Sequence, residues 1–94
     1  MKRLRFANVW DAIEPSRAAA ANMKARAEMM NAIRESVASW DVTQTAAAKR
    51  LGLTQPRMND LLRGRINKFS LDALINVAAR AGLSVRVQIV KTAA

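Results

Sequence analysis

Cysteine and histidine are both missing from the 94 residues. Without cysteine there is no disulfide frame and no thiolate metal site. Without histidine the chain lacks the commonest metal ligand and the commonest general base at neutral pH. Aromatic residues make up only 4% of the chain, too few for a platform that stacks RNA bases. Glycine occurs three times and proline twice, and no glycine-rich phosphate loop can be traced. The seven acidic residues are scattered, so no paired carboxylates suggest acid–base chemistry. These absences predict a protein that is not an enzyme and holds no metal, no cofactor and no small-molecule substrate. The longest unbroken apolar run is Ala18 to Ala21, far short of a membrane span. Lys2, Arg3 and Arg5 have the charge of a secretory leader, but Asn8, Asp11 and Glu14 interrupt any apolar segment behind them. The expectation is a cytoplasmic, nucleoid-associated protein that does not act at a membrane.

What the chain does have is positive charge: 16 basic residues against 7 acids, a net charge of +9 and a pI near 11.6. Such a balance points to a polyanionic partner. The charge is concentrated mid-chain. Lys49, Arg50, Arg57, Arg63, Arg65 and Lys68 surround a single acid, Asp60. A basic run is ordinarily just a solvated face, but here it coincides with a structural pattern. A chain of this length buries roughly 60–65% of its unfolded surface, enough for one core.

The pattern is helical for most of its length. Residues 1–14 read as an arm, in which Val9, Trp10 and Ile13 fit one helical turn. Pro15 and Ser16 are placed to open a long helix, since proline suits a first turn. Met29, Ile33, Val37 and Trp40, widened by Met23 and Met30, form its apolar stripe. On the other face, Lys24 and Glu28 stand at the i,i+4 pairing distance. Thr43, Thr54 and Ser70 each precede a helical stretch and are predicted N-caps. Gly52, Gly64 and Gly82 are predicted stops. Ala47 and Leu51 give the second helix its inner face, Met58, Leu61 and Leu62 the third, and Leu71, Leu74, Ile75 and Ala78 the fourth. After Gly82 the period changes to two. Leu83, Val85, Val87 and Ile89 alternate with polar residues, which predicts a strand over 83–90 followed by a tail, 91–94. With no second strand in the chain, its natural partner is the same strand of a second copy.

Residues 43–64, TQTAAAKRLGLTQPRMNDLLRG, place two short helices around a glycine turn. In such a unit the first helix crosses the phosphate backbone and the second offers its N-terminal residues to the major groove. Gln55, Arg57, Asn59 and Asp60 are left on the outside of the second helix. Arginine can pair bidentately with guanine, and glutamine or asparagine with adenine. Asp60 is suited to accept from cytosine or to orient Arg57 or Arg63. Thr54, at the helix start, is a further candidate phosphate contact. Arg63, Arg65, Asn67 and Lys68 follow the helix and are placed to hold phosphates, which position a protein without specifying sequence.

Over residues 29–82 the chain resembles the Xre/Cro-type helix-turn-helix domain of phage repressors. The stretch LTQPRMNDLLRG is similar to that family's recognition-helix signature. Over residues 6–90 it resembles a narrower group of HigA-like antitoxins, through FANVWDAIE, AANMKARAEMM, TQPRMNDLLRGRINKFSLDAL and AGLSVRVQIV. The resemblance implies a mainly α fold, a lambda-repressor-like bundle of four to five helices over 15–82 with one C-terminal β-strand paired across a homodimer. It implies repression of the protein's own operon, often alongside a RelE-fold ribonuclease toxin. By position, Gln44 would contact phosphate, and Gln55 and Arg57 would reach bases. Pro56 and Arg57 stand where phage repressors more often carry glutamine, serine or alanine, so the target sequence does not transfer.

Four readings compete on this basis. They are a sequence-specific dimeric repressor of double-stranded DNA, with or without a toxin; a toxin-neutralising interaction protein; a nonspecific nucleoid or RNA binder; and an enzyme. The first accounts for the charge, the caps and the outward polar residues together.

Overall fold

The computed structural model describes the backbone of residues 2–92 and the side chains of residues 16–92. Four α-helices follow one another: α1 (Lys2–Ser39), α2 (Gln44–Leu51), α3 (Gln55–Leu62) and α4 (Leu71–Arg80). A single 3-10 turn, Ile66–Lys68, lies between the last two.

The caps form where the sequence places them. The Thr43 hydroxyl accepts from the Ala46 N–H at 3.1 Å, Thr54 from Arg57 at 3.3 Å, and Ser70 from Ala73 at 3.1 Å. Each satisfies a backbone donor that the first helical turn leaves without a partner. The turn between α2 and α3 depends on Gly52, which adopts φ +71° and donates to the carbonyls of Ala48 and Lys49. Leu53 N–H closes the turn onto Ala48 at 2.8 Å. Asp41, also at positive φ, ends the approach from α1.

The core is one cluster. Met30 and Ile33 of α1 meet Ala47, Ala48 and Leu51 of α2, Met58 and Leu61 of α3, and Leu74, Val77 and Ala78 of α4. Phe69 and Ala81 complete it, and Met29, Val37, Trp40, Leu53, Leu62, Ile66 and Leu83 pack around it half-buried. Fully burying one leucine- or methionine-sized side chain contributes about 1.5–3 kcal/mol. Two small residues, Ala47 and Ala48, bring α2 close to its neighbours, while α4 packs chiefly on α1.

Three expectations need correction. First, α1 begins at Lys2, not at Pro15, and its backbone runs as one helix through the proline. No glycine or second proline precedes Pro15 to stop the helix. The proline removes one intrahelical donor without ending the element. The stripe on α1 centres on Met30 and Ile33, with Met23 exposed, and no ion pair joins Lys24 to Glu28. Second, α4 buries Val77 where Leu71 and Ile75 are only half-buried. Third, no strand occurs among the described residues, and 83–92 has no regular hydrogen bonding. A strand exists only through a paired neighbour, and a single chain provides none here. Leu83 is instead drawn into its own core, with its N–H on Ala78 at 2.9 Å. Val87, Ile89 and Val90 remain 76%, 87% and 69% exposed.

Candidate nucleic-acid interface

The face formed by α3 and the turn after it holds four basic residues, Arg57, Arg63, Arg65 and Lys68, with Asp60 as its acid. Met58 and Leu61 are fully buried, which leaves Gln55 exposed and Arg57 half-buried on the rest of the helix surface. Gln44 and Gln55 are exposed at the starts of α2 and α3. The Gln55 amide donates to the Thr45 hydroxyl at 3.1 Å, which ties the two helices together at their outer edge. Asn59 and Asp60 are half-buried. Thr54 is exposed, with its hydroxyl engaged in the α3 cap.

Arg57 is held more firmly than an outward arginine needs to be. Its guanidinium carbon lies 4.1 Å from the centroid of the Phe69 ring. Its Nη1 also donates to the carbonyl of Lys68. A cation over an aromatic face gains about 0.5–2 kcal/mol, depending on desolvation. The arginine's other donors make no hydrogen bond with the described residues.

Asp60 orients neither Arg57 nor Arg63. It accepts from Arg65 at 3.2 Å, a pair in which Arg65 is exposed and Asp60 is half-buried. That contact leans Arg65 back toward α3. Arg63, Asn67 and Lys68 are exposed, and Gly64 at φ +71° makes the reversal that carries the chain from α3 into the turn. Of the residues expected from the sequence, contacts join Arg57 to the Lys68 backbone and Asp60 to Arg65, while Gln55 instead meets Thr45, a residue the sequence did not single out.

Sequence reasoning missed Phe69 and Arg26. Phe69 directly precedes the Ser70 cap, and Leu74 stands four residues after that cap, the spacing of a hydrophobic staple. Both are buried, so that spacing was the available signal. Arg26 donates to the backbone carbonyls of Ile66 and Phe69, 40 and 43 residues away. No local pattern reports a contact across that separation. On another face, Arg50 stacks over Trp40 at 3.9 Å.

This geometry of two capped short helices around a left-handed glycine agrees with the sequence comparison, which matches the helix-turn-helix domain family over residues 12–90. The chain belongs to that family. As a helix-turn-helix protein, it is a DNA-binding regulator whose partner is double-stranded DNA. A solved structure described as an XRE-family transcriptional regulator is similar, with TM-score 0.71 and 25% identity, covering 78% of this chain and 82% of that one. No protein of curated function matches the sequence. Among the described residues, no helix of this helix-turn-helix protein is long and apolar enough to cross a membrane.

Proposed function

We propose that this helix-turn-helix protein is a transcriptional repressor that recognises a specific duplex operator as a homodimer. One observation carries the reading: α3 buries Met58 and Leu61 while leaving Gln55 exposed and Arg57 and Asn59 half-buried beside the basic segment 63–68. Gln55, Arg57 and Asn59 read base edges, with Asp60 setting Arg65 beside them. Gln44, Thr54, Arg63, Arg65, Asn67 and Lys68 hold phosphates. The similarity to an XRE-family transcriptional regulator supports a regulatory role.

The homodimer is supported by the segment after α4. Val85, Val87 and Ile89 are exposed at alternate positions, and their backbone groups have no regular partner within the chain. Pairing with the same segment of a second copy would satisfy those groups and cover that apolar edge. Leu83 stays in its own core and marks where such a strand would begin. The resemblance to HigA-like antitoxins supports autoregulation and a RelE-fold toxin as a second, cytoplasmic partner. The exposed stretch of α1 from Ser16 to Lys24 supplies surface for that partner.

Selection of bound duplexes from a random pool at physiological salt tests this reading. The expected result is a palindrome with half-sites about one helical turn apart, ~34 Å. Recovery of duplexes without a shared sequence would reject it in favour of a nonspecific binder.

A further inference from the structure

Arg26 belongs to α1, outside the helix-turn-helix unit, and is half-buried. Its Nε donates to the Asn22 side-chain oxygen at 2.6 Å, which fixes the plane of the guanidinium. Its Nη1 reaches the Ile66 carbonyl at 2.9 Å and the Phe69 carbonyl at 3.3 Å. One nitrogen thus gathers two carbonyls from the two ends of the 66–69 segment. Hydrogen bonds from a charged donor are roughly twice as strong as neutral ones. The Ile66 carbonyl has another partner, the Phe69 N–H at 3.1 Å, so the turn is closed internally as well. Arg26 adds the link between that turn and α1.

A second arginine holds the same segment from the other side. Arg57 of α3 stacks on the Phe69 ring and donates to the Lys68 carbonyl. Asn67 and Lys68 sit between these attachments, with their side chains exposed. The turn is therefore clamped between α1 and α3 by two guanidinium groups that do not hydrogen-bond each other.

We propose that Arg26 is a positioning residue for DNA binding. It anchors the 66–69 segment to α1, and that segment is the platform on which Arg57 is held and from which Lys68 projects. This rests on α3 and the basic turn being the DNA-contacting surface. With Arg26 in place, Arg57 is already ordered before DNA arrives, and the ordering of a long side chain is not charged against binding. Without it, the platform loosens and Arg57 samples other rotamers.

The test uses the full chain with Arg26→Lys, which retains charge and stem but loses the planar fork, and with Arg26→Met. The direct readout is the NMR signal of the Arg57 Nε–Hε group, which the Phe69 ring current displaces. In both variants it should move toward the position of an unstacked arginine while the core signals stay in place. Affinity for a mixed-sequence duplex should fall about five-fold or more, within the range that couplings between linked residues span. In the double variant with Arg57→Ala, little further loss should appear beyond Arg57→Ala alone. An unshifted Arg57 signal in folded Arg26→Lys would overturn the proposal, whatever happens to DNA affinity. So would losses that simply multiply in the double variant. Should Arg26→Met not fold, Arg26→Lys together with Asn22→Ala decides the matter. If Arg57→Ala alone leaves duplex affinity unchanged, the assignment of α3 as the DNA-contacting helix falls and the DNA role of Arg26 falls with it. The NMR readout still reports whether Arg26 positions Arg57.

Discussion

Arg57 answers to two demands. Its place near the start of α3 suits base reading, yet its guanidinium rests on Phe69 and on the Lys68 carbonyl. The two are compatible because a guanidinium has five N–H donors in a planar fork. A stacked fork is restricted in direction, which sharpens discrimination. Arg57→Ala should relax preference at one operator position, by about 1–3 kcal/mol against competing bases. Lys68→Ala should weaken all sequences alike and reduce the log–log salt slope by roughly 0.9. Titrating both variants against the selected operator and scrambled DNA over a range of salt separates these roles; equal losses on both DNAs for Arg57→Ala would contradict it. Gly52 poses a different single-residue problem. Its φ of +71° disfavours any side chain, and an added Cβ would lie 2.8 Å from the Arg80 Nε. Arg80 is an exposed, flexible side chain that can move away, so the backbone conformation dominates. Gly52→Ala should destabilise by about 1–2 kcal/mol in chemical denaturation, with Gly52→Asn losing less because asparagine tolerates the left-handed region.

At the scale of the element, α3 is short enough to depend on its ends. A helix of eight residues has little intrinsic stability in water. It is held by its cap, by two buried side chains and by the Gln55–Thr45 bond to α2. Thr54→Ala should therefore cost about 1 kcal/mol in thermal or chemical unfolding, whereas Thr54→Ser should be close to neutral. If both lose equally, the hydroxyl is not the source of the stability. The long α1 shows the opposite case. Its 38-residue backbone stays helical through Pro15, although a proline inside a helix forgoes one hydrogen bond and crowds the preceding turn. Its Met30 and Ile33 anchor it to the bundle, and Arg26 lies one turn before Met30 to reach the 66–68 turn.

For the whole molecule, the proposed homodimer would bring two copies of α3 to one duplex. The longest dimension is 57 Å, the length of a 38-residue helix at about 1.5 Å per residue. The bundle at one end of α1 presents a single α3. Removal of residues 83–94 should leave a folded monomer, because the fully buried core residues end at Ala81 and only the half-buried Leu83 is lost from the packing around them. Sedimentation should show the intact chain as a dimer and the shortened chain as a monomer. A shortened chain that remains dimeric would place the interface elsewhere. The shortened chain should also bind one half-site more weakly than the dimer binds the full site, since linking two sites raises effective concentration.

The sequence alone determined the elements that depend on neighbours in the chain. Three caps, three left-handed glycines and the inner faces of α2 and α3 follow from spacing, because each contact spans only a few residues. Of the α3 side chains it set outside, Gln55 is exposed, whereas Arg57, Asn59 and Asp60 are half-buried. The tertiary structure decided what those side chains touch: Arg57 on Phe69, Asp60 on Arg65 rather than on Arg57 or Arg63, and Arg26 across the fold. It also decided that α1 runs through Pro15 and that 83–92 has no strand within one chain. The physical reason is common to these cases. A cap or a turn is satisfied by atoms close in sequence. A stacked guanidinium, a buried carbonyl or a β-ladder needs a partner that only folding or a second chain can bring.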